Sequence, residues 1–338
     1  MVKPLVLFNP APQLRDRIFT KNAFARLNDT FEVIDYEAHP DAEGFARRLP
    51  DAFAVVGQPD LNTEALQTAH ALRAIVNVEG NFFPNVDYAT AFAKGVRVLG
   101  CGTAYSQAVA EYALGLALDI ARGITREHCA TQTGSNGIVS ATTSDSILLR
   151  RANVGLIGYG NLGRSLHALL APFHTTVRVF DPWLPDSIIT DNGATPATID
   201  DTLSQSTFVF VFATATAENE HLLDGQKLDL LPEGARLILV SRAAVVDYEA
   251  LLTRLRAKKL HAAIDVWPVE PIPRDSEFLR LGNVVVSAHR AGGIPEAFYS
   301  IGDMVCDDLE LMAQGLPPAR LQVAAPELVT RYRNKPVG

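Results

Sequence analysis

Short apolar runs alternate with stretches of helical periodicity along the whole chain, and they fall into two series. In the first, Leu5-Val6-Leu7-Phe8, Phe31-Glu32-Val33-Ile34, Phe53-Ala54-Val55-Val56, Ala74-Ile75-Val76-Asn77-Val78 and Val96-Arg97-Val98-Leu99 read as strands, with helical patterns between them. This order predicts a small open α/β domain over about the first hundred residues. Its ligand face is expected on the loops that follow the strands, including Gln58 and Glu79-Gly80-Asn81-Phe82.

Ser106 to Ile124 is apolar nearly all round, with Glu111, Asp119 and Arg122 as one narrow polar stripe. Such a helix must be covered on most faces, and burial both between two domains and against a second subunit is expected. From His128 to Ser146 the texture turns rich in Ser, Thr and Gly, which predicts a loop or linker.

The second series begins with Val154, Leu156 and Ile157, a run suited to a central parallel strand buried on both faces. Gly158, Gly160 and Gly163 follow at G-x-G-x-x-G spacing, then Leu162, Leu166, Leu169 and Leu170 recur at helical intervals. A second strand, Val177 to Phe180, ends at Asp181, eighteen residues beyond Gly163. Each part suits a dinucleotide: Gly158 permits the tight turn, Gly160 lets the backbone approach a pyrophosphate, and Gly163 lets helix and strand pack closely. Free N–H groups at the helix start face the anion. Asp181 can accept from both ribose hydroxyls and would repel a 2'-phosphate, and no arginine follows it, so NAD is expected over NADP. Thr207 to Ala213, Arg236 to Ser241, Leu260 to Val266 and Asn283 to Ser287 continue a second doubly wound domain to about Gly292. A last helix, roughly Pro295 to Gln314, places Phe298, Ile301, Met304, Val305, Leu309 and Met312 on one face and is expected to return to the first domain, followed by an irregular tail.

Composition narrows the class. At 338 residues, with 48% hydrophobic and 20% charged positions, the chain can bury two sizeable cores. A net charge of -8 offers no electrostatic reason for a nucleic acid or an anionic membrane as partner. Cys101, Cys129 and Cys306 are odd in number, widely separated and in no C-x-x-C, so neither a disulfide framework nor a metal site is suggested and a reducing cytoplasm fits. The apolar run in MVKPLVLFNPAP is too short for a signal-peptide core, and none elsewhere approaches the ~20 residues of a spanning helix.

Three ends of second-series strands carry polar residues: Arg242 after RLILVS, Glu270 after IDVWPVE, and His289 after NVVVSAH. Cation, acid and imidazole form the inventory for reducing a 2-oxo acid. Arg242 would hold the substrate carboxylate with a fork of donors. His289 would exchange a proton with the carbonyl oxygen, and Glu270 would orient and charge the imidazole.

The segments GLIGYGNLG, VFDPW, SRAAVVDYEAL, AAIDVWPVEPIPRDS and SAHRAGG, in this order and spacing, resemble the D-isomer-specific 2-hydroxyacid dehydrogenases, and NVDYATAFAKGVRVLGCGTAYSQAVAEYALGLAL is similar to that family's substrate-domain exit and interdomain helix. The resemblance covers most of the chain. It implies two doubly wound α/β domains with a cleft between them: a flavodoxin-like substrate-binding domain over 1–104 and 293–338, and a Rossmann NAD-binding domain over 105–292. It implies Arg242, Glu270 and His289 as catalytic residues, Asp265 near the nicotinamide carboxamide, and Asn161, Leu162, Asp181, Thr214 and Ser241 along the cofactor, beside Gly158, Gly160 and Gly163. Gly80 and Asn81 fall where family members bind the substrate carboxylate through backbone N–H groups, and a homodimer through the cofactor domain is implied. The chain departs from the pattern at Ala243 and Thr214, in the linker, and at Phe82-Phe83, where a reshaped pocket is expected. The implied function is an NAD-dependent D-2-hydroxyacid dehydrogenase, reducing a small 2-oxo acid such as glyoxylate or hydroxypyruvate. A phosphorylated acid such as 3-phosphoglycerate stays open, although the sequence shows no dedicated phosphate cluster and Arg290 or a partner-chain residue would have to bind the phosphate. An NAD(H)-sensing dimeric binding protein, similar to dehydrogenase-like corepressors, is the alternative of another class.

Overall fold

The computed structural model describes residues 2–134 and 145–329. The chain divides into two compact units, Met1–Tyr105 with Gly293–Gly338, and Ser106–Gly292. The first five strands are β1 (Leu5–Asn9), β2 (Glu32–Asp35), β3 (Ala52–Gly57), β4 (Ala74–Asn77) and β5 (Arg97–Gly100). The next seven are β6 (Asn153–Ile157), β7 (Thr176–Phe180), β8 (Thr195–Pro196), β9 (Phe208–Val211), β10 (Ala235–Leu239), β11 (Leu260–Ile264) and β12 (Val284–Val286), and β13 (Gln322–Val323) lies near the end of the described chain.

In the first unit the sheet order is β13-β5-β4-β3-β1-β2. All pairs are parallel except β13 with β5. Both faces are covered, which is why these strands read as continuous apolar runs rather than alternating ones. Val6, Phe8, Val56 and Val76 point to a core shared with Ile301, Val305 and Leu309 of helix Pro295–Ala313, while Leu5, Leu7, Val55 and Ile75 pack with Leu49, Leu66 and Leu72 on the other side. The last helix therefore belongs to the first unit. The tail expected to be irregular contributes β13, because the fully buried Asp308 carboxylate accepts the backbone N–H groups of Ala319, Arg320 and Leu321 and turns the chain back toward β5.

In the second unit the order is β12-β11-β10-β9-β6-β7-β8, parallel throughout. Helix Ser106–Arg122 buries Val109, Ala113, Leu116, Ala117 and Ile120, packing on helix Asn161–Leu170 and on β10 and β11 of its own unit. The stretch from His128, expected as loop, starts as helix: Ile124–Gln132 is helical. Gly123, at φ 66°, breaks the line between the two helices, and the Asp119 carboxylate accepts the Thr125 backbone N–H at 2.8 Å to start the new one. Residues 133–134 and 145–146 are non-helical, and 135–144 lie outside the described residues. Among the described residues no helix is long and apolar enough to cross a membrane.

Candidate functional site

Because every pair in the second sheet is parallel, the loops after β6, β7, β9, β10, β11 and β12 emerge on one edge. The strand order reverses between β6 and β9, the point where open α/β sheets leave a crevice for a ligand. Gly158 stands at this reversal with φ 92°, and a Cβ there would lie 2.9 Å from the Ala213 nitrogen. A Cβ on Gly163 would lie 2.5 Å from the Gly158 carbonyl oxygen, so helix Asn161–Leu170 can dock on the turn only with glycine at that position. Gly160 differs: a Cβ there would meet nothing within 4 Å. It is the helix N-cap and makes no side-chain cap, so the N–H groups around Asn161 and Leu162 open onto clear space.

Asp181, at the end of β7, accepts the Tyr159 backbone N–H at 2.7 Å and the Trp183 N–H at 3.0 Å, which pins the glycine turn to the neighbouring strand. A cleft of ≈ 510 Å³ opens beside it, and Asp181, Asp186 and Asp201 are among its lining residues. Three carboxylates disfavour an added phosphate there. Ser241, after β10, is buried with an unpartnered Oγ, and Thr214, after β9, is half-buried with its carbonyl accepting from Asn219 at 2.6 Å. An open glycine cradle, an uncapped helix start, an acid at the second strand end and an orphaned buried hydroxyl fit a dinucleotide.

Arg242, Glu270 and His289, the expected cation, acid and imidazole, follow neighbouring strands β10, β11 and β12. Arg242 follows β10 half-buried, and its Nη1 donates to the Ser241 carbonyl at 2.7 Å. Glu270 Oε2 lies 2.8 Å from His289 Nδ1, while Oε1 accepts the Trp267 backbone N–H at 2.9 Å. The carboxylate can only accept, so Nδ1 carries the proton and Nε2 is the nitrogen left to exchange one. His289 itself is at φ 51°, a left-handed conformation rare for a residue with a side chain. What holds it there is Asp265. Its carbonyl accepts the His289 N–H at 2.7 Å, and its fully buried carboxylate accepts those of Arg290 at 2.8 Å and Ala291 at 3.0 Å.

Two supports of the His289 loop were not visible in the sequence. Tyr112, on helix Ser106–Arg122, places its hydroxyl 2.5 Å from Ser287 Oγ, and Trp267 Nε1 donates to the Ser287 carbonyl at 2.7 Å. No local spacing announces the first contact, since the partners are 175 positions apart.

In the first unit Gly80 and Asn81 follow β4, with the Tyr105 ring 3.6 Å from where a Gly80 Cβ would stand. Glu79 is held by Gln13, whose Nε2 donates to it at 3.1 Å. Phe82, expected to reshape a pocket, instead turns into the core and lies 3.1 Å from a Cβ position on Gly100. Apolar cover for β5 wins over display at the loop. Among the described residues no group of His, Cys, Asp and Glu is arranged to hold a metal ion.

Comparison with known proteins adds the following. The family model described as D-isomer specific 2-hydroxyacid dehydrogenase, NAD binding domain, matches residues 114–291. A solved structure of a phosphoglycerate oxidoreductase from Rhizobium etli is 38% identical, covers 96% of this chain and 99% of its own, and superposes with a TM-score of 0.88. The D-3-phosphoglycerate dehydrogenase of Archaeoglobus fulgidus is 28% identical over 278 residues, 81% of this chain and 52% of that protein. The chain thus spans about half the length of the curated relatives it matches. A D-mandelate dehydrogenase from Rhodotorula graminis, at 20% identity and TM-score 0.78, covers 96% of this chain and 99% of its own and shares the fold.

Proposed function

We propose, from the premise that the chain belongs to the family of D-isomer specific 2-hydroxyacid dehydrogenases, that it interconverts a small 2-oxo acid and the D-2-hydroxy acid with NAD(H) as redox partner. The observation that carries this is the Glu270–His289 pair, 2.8 Å apart beside a dinucleotide turn on one sheet edge. Bound nicotinamide supplies the hydride for the carbonyl carbon in reduction and takes it back in oxidation. His289 Nε2 gives a proton to the carbonyl oxygen in the first direction and removes the hydroxyl proton in the second. Glu270 keeps Nδ1 protonated and stabilises the imidazolium. Arg242 donates to the substrate carboxylate, with Gly80 and Asn81 assigned to the same group through backbone N–H donors. Gly158, Gly160, Asn161, Leu162, Gly163, Asp181, Thr214 and Ser241 are assigned to the dinucleotide. Asp265 is assigned to it through the loop it holds.

A phosphorylated substrate is the second reading, favoured by the names of the relatives from Rhizobium etli and Archaeoglobus fulgidus. A homodimer through the NAD-binding unit is supported by Ile124 and Leu148, 58% and 68% exposed near the end of helix Ser106–Arg122. A cytoplasmic location is supported by three cysteines without a disulfide. The test is NADH consumption by the purified protein against glyoxylate, hydroxypyruvate, pyruvate and phosphohydroxypyruvate, repeated with NADPH. Saturable turnover of one acid, faster with NADH, is expected. Tight NADH binding with no turnover of any would overturn the enzyme reading in favour of a binding protein.

A further inference from the structure

In the first unit, two arginines on helix Arg15–Ile18 have opposite fates. Arg15 is neutralised by Asp35 at 2.9 Å and Asp16 at 3.0 Å. Arg17 is exposed and has no carboxylate within 4.0 Å among the described residues; its guanidinium lies over the Phe298 ring, Cζ 4.0 Å from the centroid. That stacking is built in. Helix Pro295–Ala313 approaches so closely that a Cβ on Gly302 would lie 2.7 Å from the Ile18 carbonyl oxygen. A guanidinium held over an aromatic ring still has N–H donors to offer an oxyanion.

The chain of contacts continues to the substrate loop. Phe298 meets the Tyr105 ring edge-on, centroids 5.9 Å apart, and Tyr105 underlies Gly80. Burial pushes the Tyr105 phenol up, with Cys101 and Glu79 adding to the rise and Arg17 opposing it, so its hydroxyl stays protonated. The sheet order of this unit reverses between β1 and β3, which places a ligand crevice at their ends. Gln13 after β1 and Gln58 after β3 each keep a buried Oε1 without a hydrogen-bond partner near these ends.

We propose that Arg17, backed by Phe298 and Tyr105, is a specificity-determining subsite for a second anionic group, phosphate or carboxylate, at the end of the substrate away from the reacting carbonyl. The inference rests on the proposed function, in which Gly80 and Asn81 take the 1-carboxylate. Glu79 opposes the same anion and sets how strongly it is held.

The test uses the full chain with saturating NADH and two substrate pairs that differ by one anionic group: hydroxypyruvate with phosphohydroxypyruvate, and pyruvate with oxaloacetate. Arg17→Met, which keeps the apolar stem on Phe298, should lower kcat/KM for the member of one pair that carries the second anionic group at least about tenfold more than for its monoanionic mate, chiefly through KM. Arg17→Lys should fall between, and Glu79→Gln should shift the ratio the other way. The affected pair tells phosphate from carboxylate. Equal changes in both members of each pair would overturn the subsite. If the wild-type protein turns over none of the four, the proposed activity fails separately, and calorimetric binding of phosphohydroxypyruvate and oxaloacetate decides. Binding weakened by Arg17→Met supports the subsite, and equal or absent binding overturns it.

Discussion

Replacing Asp265 by asparagine removes no volume and one acceptor. In the native protein both carboxylate oxygens are used, by Arg290 N–H at 2.8 Å and Ala291 N–H at 3.0 Å, in a site with no solvent access. The asparagine amide offers one oxygen and turns its NH2 toward the other N–H, so one buried donor loses its partner at a cost of about 1–3 kcal/mol. For a unit of this size that is about 2–12 °C in Tm. The loop can recover part of the loss by letting His289 leave φ 51°, whose strain of about 1–3 kcal/mol is then no longer opposed. Relaxation carries Nδ1 off Glu270, so activity falls further than stability: about a hundredfold in kcat/KM, the scale of a catalytic group displaced by an ångström. Thermal melting with and without NAD, beside steady-state turnover on the best oxo acid, reads both quantities. A variant that melts within about 1 °C of wild type and keeps turnover within about twofold would refute the account of how this loop is held.

Three further outcomes are expected. Glu270→Gln presents an amide where His289 has a charged acceptor; a lost charge-assisted hydrogen bond, discounted for partial exposure, is about 1.5–2 kcal/mol, or about 10–30-fold in single-turnover hydride transfer, with a melt lowered by no more than about 8 °C. Gly163→Ala puts a methyl group 2.5 Å from the Gly158 carbonyl oxygen, so a melt lowered by about 1–3 kcal/mol and a weaker NADH fluorescence titration should appear together; normal NADH affinity would show that the turn tolerates the shift. Burial lowers the pKa of His167, whose Nδ1 faces the Tyr159 hydroxyl at 2.6 Å, and of His261, where Arg236 adds to the effect. A lowered histidine pKa means the unfolded chain binds the proton first, so stability is full above about pH 6.5 and falls as pH drops below it toward the folded-state values. Tm measured from about pH 7.5 to about pH 5.5 should decline, and less steeply in His167→Gln; a flat profile in the wild type would contradict the burial.

Most of the architecture was legible because parallel strands buried on both faces leave continuous apolar runs, and the intervening helices leave their own period. The glycine spacing and Asp181 carried the dinucleotide turn for the same reason: each lies within one strand–turn–helix–strand unit, where distance along the chain sets distance in space. The failures were equally physical. Composition from His128 onward suggested a loop, yet Asp119 supplies an acceptor that starts a helix there, and Phe82 looked like pocket wall until the Gly100 backbone gave it a place in the core.

What the chain's own pattern determined, then, is which segments are strands and helices, which faces they bury, and that a cation, an acid and an imidazole end three strands. Tertiary structure alone decided the convergences that no motif announced: Asp265 on the loop that holds His289, Tyr112 on Ser287, and Arg17 on Phe298 rather than on a carboxylate. Periodicity encodes burial, which is a property of one element. Convergence depends on sheet order and helix docking, which are set by packing among elements far apart in the chain.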